Sequence, residues 1–180
     1  MKPVYTLLLI LFSLIARAQG NAGIIYGDNH AYTLKAPAGW VLNNQSGVMQ
    51  GLYAVFYPEG DNWEDAVTVM YTNTANYGPG NEDMDAIIKY DLDRFVAAKP
   101  GIDIRTLPAY KLKDGKTAAI RHIYGDDKGN YEAIAYIPEK TVTVMVILTA
   151  RNKEDFEKSL PKFNELLDSY SFIAEKVIEK

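Results

Sequence analysis

Residues 141–173 read TVTVMVILTARNKEDFEKSLPKFNELLDSYSFI. In the first ten, Val142, Val144, Val146 and Leu148 alternate with Thr143, Met145, Ile147 and Thr149, so both faces of an extended segment are largely apolar. A strand of that kind lies centrally in a sheet and is covered on both sides. After a polar turn, Phe156, Leu160, Phe163, Leu166 and Leu167 recur at helical spacing and supply a cover for one side. Pro161 interrupts this stripe. Either a first helix ends near Ser159 and a second carries Pro161 in its first turn, or one helix kinks there. Residues 169–173 read as extended.

Upstream, residues 102–112, 117–124 and 131–137 are strand-like, and with 141–150 they form a meander. Each junction has turn chemistry: Lys113-Asp114-Gly115-Lys116, residues 125–130, and Pro138-Glu139-Lys140. Before the meander, Met84, Ile87, Ile88, Leu92, Phe95 and Val96 fall on one helical face. Asn81 is the expected N-cap, Glu82, Asp83 and Asp85 suit the positive end of the helix dipole, and Pro100-Gly101 ends it. Earlier strands are read at 53–57 and 66–71, separated by the polar loop 59–65. Residues 32–34 lead into the turn Ala36-Pro37-Ala38-Gly39-Trp40, after a polar leader at 19–23.

Ahead of that, MKPVYTLLLILFSLIARAQG has Lys2 at its start, an apolar run over 7–15, and small residues at Ala16 and Ala18. This is the layout of a secretory signal peptide, residues 1–18, with Gln19 as the new N-terminus. The run is shorter than the roughly 20 residues a spanning helix needs, so no stable membrane anchor is expected after cleavage. Residues 19–180 then form a single domain, exported to the periplasm or the medium. There is no cysteine. Disulfides and lipid attachment at a cleavage-site cysteine are therefore excluded. Without Lys2 and Arg17 the 19 basic residues become 17 against 23 acidic, a net charge of −6. Nucleic acid and anionic membranes are poor partners for such a chain, because both reward clustered Lys and Arg.

The segment 141–173 resembles the end of PsbP-like and Mog1-like domains, where a buried strand leads through a polar turn to a helix and a Ser-aromatic strand. The stretch YTLKAPAGWVLNN at 32–44 resembles their early strand and Pro-x-Gly-Trp turn. Together the likeness covers residues 31–172. It implies an α/β (α+β type) fold, an α/β/α sandwich around a mainly antiparallel sheet. It also implies an accessory role, since members include a photosystem II extrinsic protein and a regulator of a nuclear GTPase. It carries over no functional residue.

The catalytic inventory is short. His30 and His122 are the only histidines, and His122 falls mid-strand, where a structural role is expected. None of Ser46, Ser159, Ser169 and Ser171 lies in a nucleophile elbow. Residues 78–81, Gly-Pro-Gly-Asn, lack the lysine of a phosphate loop. Neither Asp61, Glu64 and Asp65 nor Asp126, Asp127 and Asn130 follows a calcium-loop series, so no metal and no cofactor are expected. The reading is a non-catalytic exported domain that binds a protein or small-molecule partner. Trp63 and Tyr77, aromatics in loops, are the candidate anchors, and Asp61, Glu64 and Asp65 form an acidic rim that would select a basic partner. A carboxylate-based hydrolase acting outside the cytoplasm is the alternative.

Overall fold

A computed structural model describes residues 21–79 and 83–176; the leader at 1–18 and the expected cap Asn81 lie outside the described residues. The chain runs β1 Ala22–Gly27, β2 His30–Lys35, β3 Trp40–Asn43, a short 3-10 turn at Val48–Gln50, β4 Val55–Pro58, β5 Thr68–Asn76 and α1 Met84–Ala98. It continues with β6 Asp103–Lys111, β7 Thr117–Tyr124, β8 Tyr131–Pro138, β9 Val142–Ala150, α2 Lys153–Asp168 and β10 Ser171–Ala174.

Seven strands form the main sheet in the order β3-β4-β5-β9-β8-β7-β6, with β9 at its centre. Every pairing in it is antiparallel. The two-faced pattern of residues 141–150 places β9 there: Val142, Val144, Val146 and Leu148 enter one core with Phe156, Phe163, Leu166 and Leu167 of α2. Met145 and Ile147 enter a second, on the other face, with Ile88, Leu92 and Phe95 of α1. Helices on both faces of an antiparallel sheet make the α/β/α sandwich.

α2 is one helix through Pro161, which resolves the two readings of that proline. Its N-cap is Asn152, whose side chain accepts from the Asp155 amide. α1 begins later than the sequence suggested: Asp83, not Asn81, is the cap, accepting from the Ala86 amide. Val96, expected on the packed stripe, is 49 % exposed, because α1 meets the sheet along a narrow line and buries only Ile87 and Ile88.

One strand escapes the sequence pattern. β1 pairs with β2, and β10 closes a three-stranded sheet, β1-β2-β10, on the α2 side. Residues 22 and 23 therefore lie in a strand, not in a polar leader. β1 alternates exposed with half-buried side chains, leaving Ile24 and Tyr26 in solvent, so it shows no apolar stripe that burial would impose. Tyr32 and Leu34 of β2 join the larger core, and Tyr170 packs on Tyr32 with ring centroids 5.6 Å apart. In the turn before β3, Gly39 has φ +76°, a left-handed backbone that favours glycine, and the Trp40 amide donates to the Pro37 carbonyl at 3.0 Å.

Candidate functional site

Strand alternation puts Tyr71 and Asn73 of β5, Glu132 and Ile134 of β8, and Met145 and Ile147 of β9 on the face that α1 covers. α1 covers it incompletely. Between Tyr90, Asp91, Arg94 and Phe95 of the helix and those strands lies a cleft of about 840 Å³, bounded at one end by the turn between β7 and β8.

That turn is rigid by construction. Asp126 accepts from the amides of Lys128 at 2.8 Å and Asn130 at 2.7 Å, and from the Asn130 side chain at 3.2 Å. Lys99, just past α1, donates its Nζ to the carbonyls of Gly125 at 2.5 Å and Asp126 at 3.3 Å, tying the helix end to the turn. Asp126 thus shapes the loop through three accepted bonds.

Two further carboxylates enter the cleft. Asp91 accepts from the Tyr136 hydroxyl at 2.5 Å, and Arg94 stands 3.9 Å from it. Burial first, and then the Asp91 charge, push the Tyr136 phenol well above its ordinary value, so it stays the donor. Glu132 differs. It is 9 % exposed, and among the described residues no donor lies within hydrogen-bond distance and no cation pairs with it. Burial, followed by the charges of Asp126 and Asp91, raises its carboxyl to about 7, with Lys128 opposing. Burial and the nearby Glu132 charge likewise raise the Tyr71 phenol.

The residues singled out from sequence lie around this face but do not make one patch. Trp63 is half-buried and packs edge-on against Tyr71, a cleft residue, with centroids 6.2 Å apart. Tyr77 lies six residues beyond Tyr71, roughly 20 Å along the strand direction at about 3.3 Å per residue. Tyr77 also has a strand role after all: its amide donates to the Thr141 carbonyl at 3.0 Å, extending the β5–β9 ladder, and its hydroxyl accepts from Thr143 at 3.1 Å. Asp61, Glu64 and Asp65 are exposed. Asn62 organises their loop, accepting from the amides of Glu64 and Asp65 and donating to the Asp65 carboxylate. His122 packs edge-on against Phe156 at 5.2 Å, on the opposite face from the cleft.

Glu132 was not singled out from sequence. The signal was present: YEAIAYIP is a strand with one acid in an otherwise apolar run. Only the pairing register, which sets Glu132 between Ile123 and Thr149, tells a buried acid from one at a frayed strand end.

Helices on both faces of an antiparallel sheet, with a small sheet closed by the C-terminal strand, define the class. More particularly, the chain has the PsbP/Mog1-like fold. It is similar to LpqN of Mycobacterium tuberculosis, a protein involved in cell envelope biogenesis, at TM-score 0.56 and 14 % identity over 90 % of this chain and 96 % of that one. It is similar to the Saccharomyces cerevisiae Ran-binding protein Mog1p at TM-score 0.52 and 9 % identity over 87 % and 96 %. To the cyanobacterial PsbP of Synechocystis the values are 0.50 and 10 %, over 88 % and 96 %. No family model matches the sequence, and no curated protein is similar to it in sequence.

Proposed function

We propose that this chain is a non-catalytic binding domain, acting outside the cytoplasm, that receives its partner in the cleft between α1 and the sheet. The observation that carries the reading is Glu132: a buried carboxylate without a partner, facing a cleft large enough for several side chains. An unpaired buried acid costs stability, so its position facing a cleft fits a group that meets a ligand. Two neighbours in fold bear on the role by description, one as Ran-binding and one as involved in envelope biogenesis. Trp63, backing Tyr71, would anchor a partner at the cleft's edge, with Asp61, Glu64 and Asp65 beyond it. Export rests on residues 1–18, and intact mass of the protein from its native envelope tests it: a mass beginning at Gln19 supports export, and retained Met1 overturns it.

The binding reading is tested by capture from native extracts with wild type, the cleft-filling Ala75→Trp variant and the Trp63→Ala, Tyr77→Ala double variant, each confirmed folded by circular dichroism. A partner held by wild type and lost from Ala75→Trp supports the cleft. Identical partner lists overturn it.

A carboxylate-based hydrolase is the second reading, and one observation favours it. Glu132, held near neutrality, faces the same cleft as Asp91, and an acid of that pKa can give or take a proton at neutral pH. Glu132→Gln separates the two: a hydrolase loses turnover while still binding substrate, whereas a binding domain loses affinity.

A further inference from the structure

We infer that the cleft's ligand presents a guanidinium or ammonium group that pairs with the Glu132 carboxylate, so that the domain recognises a cationic side chain or amine. The inference rests on the cleft-binding reading and names its ligand chemistry.

The argument is one of which charges remain unanswered. Among the described residues four carboxylates line the cleft, Asp91, Asp126, Asp127 and Glu132, against two cations, Arg94 and Lys128. Asp126 accepts three bonds within the turn, and Asp91 takes the Tyr136 hydroxyl and has Arg94 nearby. Lys128, whose charge favours ionised Glu132, is exposed and makes no ion pair with it. Asp127 is also unpaired but exposed, where water answers its charge; among the described residues of the cleft Glu132 is the buried carboxylate that keeps all its acceptor capacity.

The groups facing Glu132 are Tyr71 of β5, Asp91 and Arg94 of α1, and Asp126 and Lys128 of the turn; their charges cancel, so ionised Glu132 leaves the balance negative. An anionic ligand would add to the repulsion that already raises this carboxyl. A neutral apolar ligand would leave the carboxylate desolvated and unpaired. A cation removes both costs by donating to Glu132 the charge-assisted hydrogen bonds that no group among the described residues supplies. Tyr90, 64 % exposed, and Phe95 add aromatic surface of the kind that favours alkylammonium and guanidinium groups.

Titration calorimetry and amide chemical shifts at pH 8, where Glu132 is ionised, test this with the mature chain, using tetra-arginine, agmatine and tetra-glutamate as probes. Tetra-arginine is expected to shift the amides of residues 90–95 and 131–134. Glu132→Gln is expected to weaken it at least tenfold, and Glu157→Gln, an equal change of net charge on exposed α2, less than twofold. If agmatine binds as tightly, the cation is a free amine; if only the peptide binds, it is a side chain of a peptide partner. Equal affinity for tetra-arginine in wild type and Glu132→Gln overturns the inference. Cleft shifts with tetra-glutamate and none with tetra-arginine also overturn it, while leaving the binding reading intact. Absence of cleft shifts with any probe, joined to identical partner lists for Ala75→Trp, removes both.

Discussion

Glu132 of β8 and His122 of β7 lie on opposite faces of the sheet and answer pH with opposite signs. The folded-state pKa of Glu132 is raised from 4.5 to about 7, so its favourable state is fully present below 4.5 and is lost as pH rises through 7. His122 is lowered from 6.5 by burial and by Arg105, so its contribution is present above 6.5 and is lost as pH falls. Glu132→Gln is therefore expected to stabilise the protein at pH 8, by about 3 kcal/mol at most, and to change nothing below pH 4.5. Urea unfolding across that range checks the sign, and a penalty at pH 8 would refute the burial argument. A second buried acid, Glu139, behaves otherwise because it is paired: Lys116 donates to both of its oxygens, at 2.5 and 2.6 Å, and the Tyr170 hydroxyl donates at 2.8 Å. Glu139→Ala is expected to cost about 3 kcal/mol, since it strands a buried phenol and leaves the lysine only Asp114, at 3.8 Å. Added to Tyr170→Phe it should be less than additive, which a double-mutant cycle reads directly. Both acids sit in or beside apolar runs, and only tertiary pairing distinguishes the liability from the structural link. For that reason neither was legible from spacing.

α2 buries Phe156, Ser159, Phe163, Leu166 and Leu167, whereas α1 buries Ile87 and Ile88. The helix over the cleft is the weaker layer. Amide exchange is expected to open α1 at lower free energy than α2, and equal protection in the two would contradict the packing argument. Removing the α2 cap with Asn152→Ala should cost about 1 kcal/mol, measurable by thermal unfolding. The strong periodic elements, both helices and the strands of the meander, were readable in the sequence because burial writes itself into spacing. β1 was not, because its side chains alternate between exposed and half-buried. Tyr77 looked like a loop residue beside Gly78 and Pro79, yet a single ladder bond carries the strand one residue further.

The larger core joins the main sheet, α2 and the small sheet through Tyr32, Leu34 and Tyr170. Far-ultraviolet and near-ultraviolet unfolding curves are therefore expected to coincide, and an early loss of tyrosine signal alone would show that the small sheet melts separately. The sheet also divides labour between its faces: one face carries the larger core, and the other, more thinly covered, carries the cleft. Lys99 stands at the boundary of that second face, and its two acceptors are main-chain oxygens, indifferent to which side chains the turn displays. Substitutions in the turn that keep its backbone course leave both acceptors in place, whereas one at Gly125, with φ +67°, or at Asp126, which organises the turn, displaces them. An uncharged residue at position 99 would remove both bonds while Ile88, Leu92 and Phe95 still hold α1 to the sheet, so one position sets how firmly that end of the cleft is tied.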